Sequence, residues 1–251
     1  MQPIYLFLLG GQDLEMITIR SLLVQNNALF IDKNLEWNSA RISMFKDVLF
    51  DPSNADKIIY GIELTDNHLF PLPTNYKSID HHNERGNEKT SLEQVADILG
   101  TALTHDQQLV AANDRGYIPA MVEMGATPEE IKDIRHRDQQ AIGVTANDIL
   151  LAKESIARNL QVVGEVLVVR ALTSRFTVIS DFLYPYKNLL IYKDSELTVF
   201  GHLSLKLQKR TEFHELKPYY RGDSSNGFWG FSNCTVTEEI VTQIIKTLNY
   251  G

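Results

Sequence analysis

The first readable segment of the chain sets its fold class. Ile4-Tyr5-Leu6-Phe7-Leu8-Leu9 is an unbroken apolar run that stops at Gly10-Gly11, the pattern of a buried strand closed by a turn. Ile17, Ile19, Leu22 and Leu23 suggest a helix starting near Asp13. The alternation then repeats. Lys57–Leu64 reads as a second strand and Tyr76–Ile79 as a short third. Ser91–Leu103 reads as a helix, with Leu92, Val95, Ala96, Leu99 and Leu103 on one face and Ser91 and Gln94 as its capping box. Thr127-Pro128 opens another helix, and Thr145–Leu160 a further one with a Thr-x-x-Asp start. Strands alternating with helices imply an α/β architecture around a mainly parallel sheet.

After Leu160 the character changes. Val162–Val169, Phe176–Ile179, Leu189–Tyr192 and Leu197–Phe200 are β-rich, the last two joined as a hairpin across Lys193–Glu196. A terminal helix is predicted over Val236–Leu248, capped by Thr235 and Glu238. The expected organisation is a larger α/β domain over residues 1–145, a connecting helix over 146–160, and a smaller α+β domain over 161–251.

Composition narrows the function classes. With 24 basic and 32 acidic residues the formal net charge is −8, so no global field attracts a polyanion, and long nucleic acid is not an expected partner. A single cysteine, Cys234, excludes an internal disulfide framework and a cysteine-based zinc cluster. The opening apolar run lacks a basic flank and is too short for a signal peptide or a membrane span. A cytoplasmic protein that does not enter the membrane is therefore expected. No Walker loop, Gly-x-Gly-x-x-Gly, Gly-x-Ser-x-Gly or His-Glu-x-x-His occurs in the chain.

Four polar sites fall where an open α/β sheet places its crevice, at or beyond the carboxyl ends of strands. They are Asp13-x-Glu15, Glu63 with Asp66, Asp80-His81-His82, and Asp114 within Asn113-Asp114-Arg115-Gly116. Carboxylates and imidazoles converging on one crevice repel each other unless a cation neutralises them. Such donors suit Mn²⁺ or Mg²⁺, with imidazole favouring Mn²⁺. One or two such ions would activate water and clamp a phosphoryl group. Each site also has a plainer reading: Asp13 could simply cap the following helix, and Glu63 could close a strand end.

The segment Ser78-Ile79-Asp80-His81-His82-Asn83 resembles the signature of the DHH phosphoesterase superfamily, and Ala111–Gly116 is similar to that family's later metal-ligand aspartate. The order of the pieces over residues 4–116 fits the family's first domain. The resemblance implies a metal-dependent phosphoesterase acting on a small phosphorylated substrate, such as a short oligonucleotide or nucleotide derivative. It implies Asp13 on a first metal, Glu15 and Asp114 on a second, Glu63 bridging them, and His81 as an imidazole ligand. It also implies His82 at the phosphate, with Asp80 orienting the imidazoles. The chain departs from the family pattern His-x-x-x-Asp-x-Asp, because Leu9 stands in place of the histidine and Glu15 replaces an aspartate. Glu63 likewise occupies an aspartate's place. The first metal site is weakened accordingly, and a non-catalytic protein that binds a nucleotide or a partner stands as the alternative.

The second half carries a candidate grip on substrate in Lys217–Phe231. Arg221 could pair with a phosphate, Gly222 and Gly227 could let backbone N–H groups approach it, and Tyr219, Tyr220 or Trp229 could stack on a base. For those aromatics, packing into the domain's own core is an equal alternative. Arg115, next to Asp114, is a further candidate contact. Arg135-His136-Arg137 reads as alternating charge on an exposed helix, and Lys206, Lys209 and Arg210 as a solvated strand edge. A homodimer is compatible with this reading.

Overall fold

The computed structural model describes residues 4–67, 69–82, 85, 88–221 and 227–250. The chain divides into two compact units between Ile142 and Gly143. No helix among the described residues is long and apolar enough to cross a membrane.

The first unit begins β1 (Tyr5–Gly11), α1 (Leu14–Gln25) and β2 (Leu29–Leu35), followed after short 3-10 turns by α2 (Lys46–Leu49). Then come β3 (Ile58–Ile62), β4 (Tyr76–Ile79), α3 (Ser91–Leu99), α4 (His105–Glu123) and α5 (Pro128–Ala141). The sheet order is β2-β1-β3-β4, and every pairing is parallel. Leu6 to Leu9 are all buried, as expected for a central strand covered on both faces. Leu6 and Leu8 pack with Ile42, Phe45 and Ile59 in one continuous core. Because β2 and β3 flank β1 on opposite sides, the strand order reverses between β1 and β3. That reversal opens the crevice in which open α/β sheets hold their ligands.

The second unit comprises α6 (Ala146–Asn159), β5 (Leu160–Val163), β6 (Val166–Arg170), α7 (Phe176–Leu183), β7 (Asn188–Lys193) and β8 (Glu196–Gly201). It continues with α8 (Ser204–Gln208), β9 (Tyr219–Arg221), β10 (Phe228–Ser232) and α9 (Glu238–Tyr250). Its sheet order is β5-β6-β7-β8-β10-β9, with β6–β7 parallel and the other pairs antiparallel. Alternate residues feed two cores. Leu189 and Ile191 pack with Ala152, Phe176 and Ile179, whereas Leu190 packs with Trp229, Ile244 and Leu248. A mainly parallel α/β sheet followed by a mixed α+β sheet is thus the fold class read from the sequence.

Several local expectations are corrected. Phe176–Ile179 is the start of a helix, because Phe176, Ile179 and Ser180 are buried at helical spacing; a short apolar run does not distinguish the two periods. Val162–Val169 is two antiparallel strands, turned at Gly164 with φ +62°. The box at α3 is formed by Thr90 and Glu93, one residue earlier than expected, and the helix stops at Gly100 in the left-handed region. Thr237, not Thr235, accepts the capping bond of α9, from the Ile240 N–H. Lys206 lies on helix α8, not on a strand edge.

Candidate metal centre

Backbone approach at the sheet's end brings the acidic residues together. A side chain at Gly10 would meet the Ile62 carbonyl at 2.5 Å and the Glu63 carbonyl at 2.7 Å, so only glycine lets β1 run beside the end of β3. The chain leaves β3 through Glu63 in a left-handed conformation, φ 50°. A non-glycine residue held there costs about 1–3 kcal/mol, and such strain collects at functional sites. Asp13 caps α1 by accepting from the Met16 N–H at 2.8 Å, and Glu15 lies in that helix's first turn. Asp80, His81 and His82 directly follow β4.

Asp114 arrives differently. The sequence suggests a position beyond a strand, yet it lies within α4, just before a break at Gly116 (φ −155°, ψ 22°) and Tyr117 (φ 63°, ψ −149°). Pro119 follows the break, at the start of the resumed helix, where its missing N–H does little harm. Gly and Pro in this stretch look like loop signals, which is why the helix escapes a reading by pattern. Arg135, expected on an exposed face, is buried here at 4% exposure. Its guanidinium donates to Asn113 Oδ1 at 2.8 Å, to Asp138 Oδ2 at 2.7 Å and to the Tyr117 hydroxyl at 2.7 Å. It therefore fastens the residues on both sides of Asp114.

His81 Nε2 is the meeting point. It lies 2.5 Å from Asp114 Oδ2, and 3.7 Å from both Glu15 Oε2 and Glu63 Oε1. One ligand atom each from Glu63, His81, His82 and Asp114 falls within 4.8 Å of the others. Both glutamates are tied to the N-terminus of α3, Glu15 through its other oxygen and Glu63 through the oxygen that faces His81. Ser91 Oγ donates to Glu63 Oε1 at 2.8 Å, and the Leu92 N–H donates to Glu15 Oε1 at 2.9 Å. A helix N-terminus favours negative charge, so α3 anchors both carboxylates. His82 is held separately, its Nδ1 and its backbone N–H each 2.9 Å from Asp80 Oδ1.

In this cluster Glu15 Oε2 and Glu63 Oε2 are buried without a hydrogen-bond partner, and the buried His81 Nε2 and Asp114 Oδ2 meet as an ion pair. Unsatisfied buried donors and acceptors are costly, and carboxylates that converge without a cation more so. An oxygen-rich set with imidazole is the donor chemistry of a divalent cation, and these residues fit one. Burial, then the charge of Asp114, pushes the Asp13 and Glu15 carboxyls up. Burial, then the Glu15 charge, does the same to Glu63. For His81 burial alone would lower the imidazole, but Asp114 and Glu15 outweigh it and raise it to about 10.

The sign of the pH dependence follows. A folded value raised above the unfolded one stabilises fully below the unfolded value, and that contribution disappears as pH rises through the folded one. For His81 the window runs from 6.5 to about 10, and the raised carboxyls lose theirs upward from their ordinary range of about 4. Metal-free protein should thus melt at lower temperature as pH rises from about 6.5 to about 9, while the stabilisation by added Mn²⁺ grows, since binding displaces those protons. Thermal melts with and without the ion check this. A metal-free Tm that climbs across that range would contradict it.

The remaining sequence candidates are placed as follows. Arg115 ion-pairs with Glu93 and is exposed. In the second unit, Gly227 uses its carbonyl to accept from the Gly201 N–H at 3.1 Å. Gly222 lies outside the described residues, as does the side chain of Arg221. Trp229 is fully buried in its unit's core, and Tyr219 bonds the Thr198 hydroxyl at 2.9 Å, so core packing is the outcome for Trp229. Leu9 is fully buried and offers no donor. Sequence reading missed Ser91 as a partner of Glu63 and Arg135 as the clamp beside Asp114. Only the hydroxyl of Ser91 at a helix start gave any signal.

No protein-family model and no curated protein matches the chain. Solved structures that resemble it in backbone arrangement include the following two. The pGpG-specific phosphodiesterase PggH from Vibrio cholerae is 11% identical, with a TM-score of 0.48 over 99% of each chain. The DHH domain of a member of the s1p family of ribosomal proteins is 11% identical, with a TM-score of 0.49 over 98% of this chain and 85% of that one.

Proposed function

We propose that the chain is a divalent-metal-dependent phosphoesterase of the DHH type that hydrolyses a small phosphodiester or phosphoanhydride, such as a short oligonucleotide or nucleotide derivative. The observation that carries this reading is the convergence of Glu15, Glu63, His81 and Asp114 at the end of a parallel sheet, with two buried carboxylate oxygens left without a hydrogen-bond partner. In it Glu15, Glu63, His81 and Asp114 hold the cation, and Mn²⁺ suits the imidazole better than Mg²⁺. A cation bound there supplies Lewis acidity, lowering the pKa of water and neutralising phosphoryl charge. Glu63 and Glu15 keep their position through α3. With both ring nitrogens of His82 protonated, Nδ1 donates to Asp80 and Nε2 to a phosphoryl oxygen as its charge develops. Arg115, Arg221, Gly222 and Gly227 are the proposed substrate contacts. The overall acidity supports a small substrate over a long polyanion.

A second reading has its own support. Leu9 cannot ligate and Asp13 gives one carboxylate oxygen to the cap of α1, which supports one ion over two and a nucleotide-binding, catalytically impaired protein as the rival. A hydrolysis screen separates the two. With Mn²⁺ present, the protein should cleave at least one of dinucleotides, cyclic dinucleotides, phosphorylated nucleosides or pyrophosphate, and chelation should stop it. Tight nucleotide binding with no turnover would leave the binding protein.

A further inference from the structure

Trp37 is the odd residue near the metal centre. It opens a 3-10 turn over Trp37–Ser39, straight after β2, and its side chain is 40% exposed. Its indole meets the His82 imidazole edge-on, with centroids 5.6 Å apart and planes at 88°. The loop that carries it is fixed. The Thr65 N–H donates to the Ala40 carbonyl at 2.9 Å and the Ile42 N–H to the Thr65 carbonyl at 3.1 Å, stitching the loop to the chain just beyond Glu63. Ala40 and Ile42 are buried. A side chain on Gly11 would lie 2.9 Å from the Trp37 Cα and 3.0 Å from the indole, so glycine there is what admits the ring.

A large apolar ring kept half in water, on a rigid loop and beside a polar imidazole, is not accounted for by core packing. Indole faces are good platforms for planar heterocycles, and stacking tolerates any base. We propose that Trp37 forms a base-stacking subsite, so that the ligand is a nucleotide whose phosphate lies at His82 and whose base lies on the indole. The inference rests on the phosphoesterase reading for the position of the phosphate. It adds the ligand's other end and the residue that selects for it.

The test uses Mn²⁺-loaded full-length protein with three ligands: AMP, ribose phosphate and inorganic phosphate, each titrated by calorimetry. In the unsubstituted protein AMP should bind more tightly than ribose phosphate. Trp37→Leu should weaken AMP about ten-fold or more while leaving the other two unchanged. Trp37→Phe should restore much of the AMP affinity. Quenching of tryptophan emission by AMP should vanish in Trp37→Phe, since the other tryptophan, Trp229, is buried in the second unit. Equal affinity for AMP and ribose phosphate would overturn the subsite, as would Trp37→Leu weakening all three alike. In those cases phosphate still binds and the reading beneath survives. Failure of all three ligands to bind would remove the phosphate site itself, and the subsite with it.

Discussion

Protein carrying His81→Ala should emerge from Mn²⁺-containing buffer with almost no bound metal, whereas the unsubstituted chain should retain at least one ion. His81 Nε2 faces Asp114, Glu15 and Glu63 at once, so its loss removes the nitrogen placed among three carboxylates. Removing groups that merely orient ligands costs metal sites about 10–100-fold in affinity, and losing the imidazole itself should exceed that. Any hydrolysis should fall at least in parallel. The substitution also withdraws a cation from beside buried carboxylates, so the metal-free variant should be less stable near neutral pH and recover as the carboxyls protonate in acid. Metal analysis by mass spectrometry, with circular dichroism melts alongside, reads both effects. A His81→Ala protein that still holds a full complement of Mn²⁺ would sink the proposed centre.

Arg135→Met should destabilise the first unit by about 3–5 kcal/mol, the usual cost of breaking a buried ion pair by removing one partner. Methionine fills much of the same space but cannot bond Asn113, Asp138 or the Tyr117 hydroxyl, all of which the guanidinium reaches within 2.8 Å. The ring of Tyr117 also loses the guanidinium carbon that sits 3.9 Å from its centroid. Urea unfolding measures the loss, and a change below about 1 kcal/mol would show the cluster to be nearly neutral. Because Asn113 and Tyr117 bracket Asp114, metal affinity should fall as well. Arg135→Lys should recover little, since an ammonium cannot reproduce the planar fork.

The legible parts of this chain were those governed by local pattern. Strand β4 appeared at its observed bounds, because alternation and flanking polar residues mark it. The starts of α5 and α6 were equally plain, since Thr127 and Thr145 are capping residues with acidic partners three positions on. Asp80-His81-His82 stood out for its residue types alone. Helix α4 did not, because its Asn, Gly and Pro residues carry turn signals that tertiary contacts override. Strand β2 was missed for a related reason: its Asp32, Lys33 and Asn34 interrupt the apolar pattern.

What the sequence determined by itself was the fold class, the position of Glu63 and Asp80-His81-His82 at strand ends, and the missing donor at Leu9. These follow from hydrophobic period and side-chain chemistry, which act over a few neighbouring residues. Only the tertiary structure decided which atoms converge and which are already spoken for. It set one oxygen of Asp13 on the cap of α1, put Asp114 on a helix clamped by Arg135, and anchored Glu15 and Glu63 to α3 from 77 and 28 residues away. Those outcomes depend on where distant segments cross at the end of the sheet. Residue type and spacing carry no record of that crossing, because any carboxylate can cap, pair or ligate until a partner comes within about 3 Å.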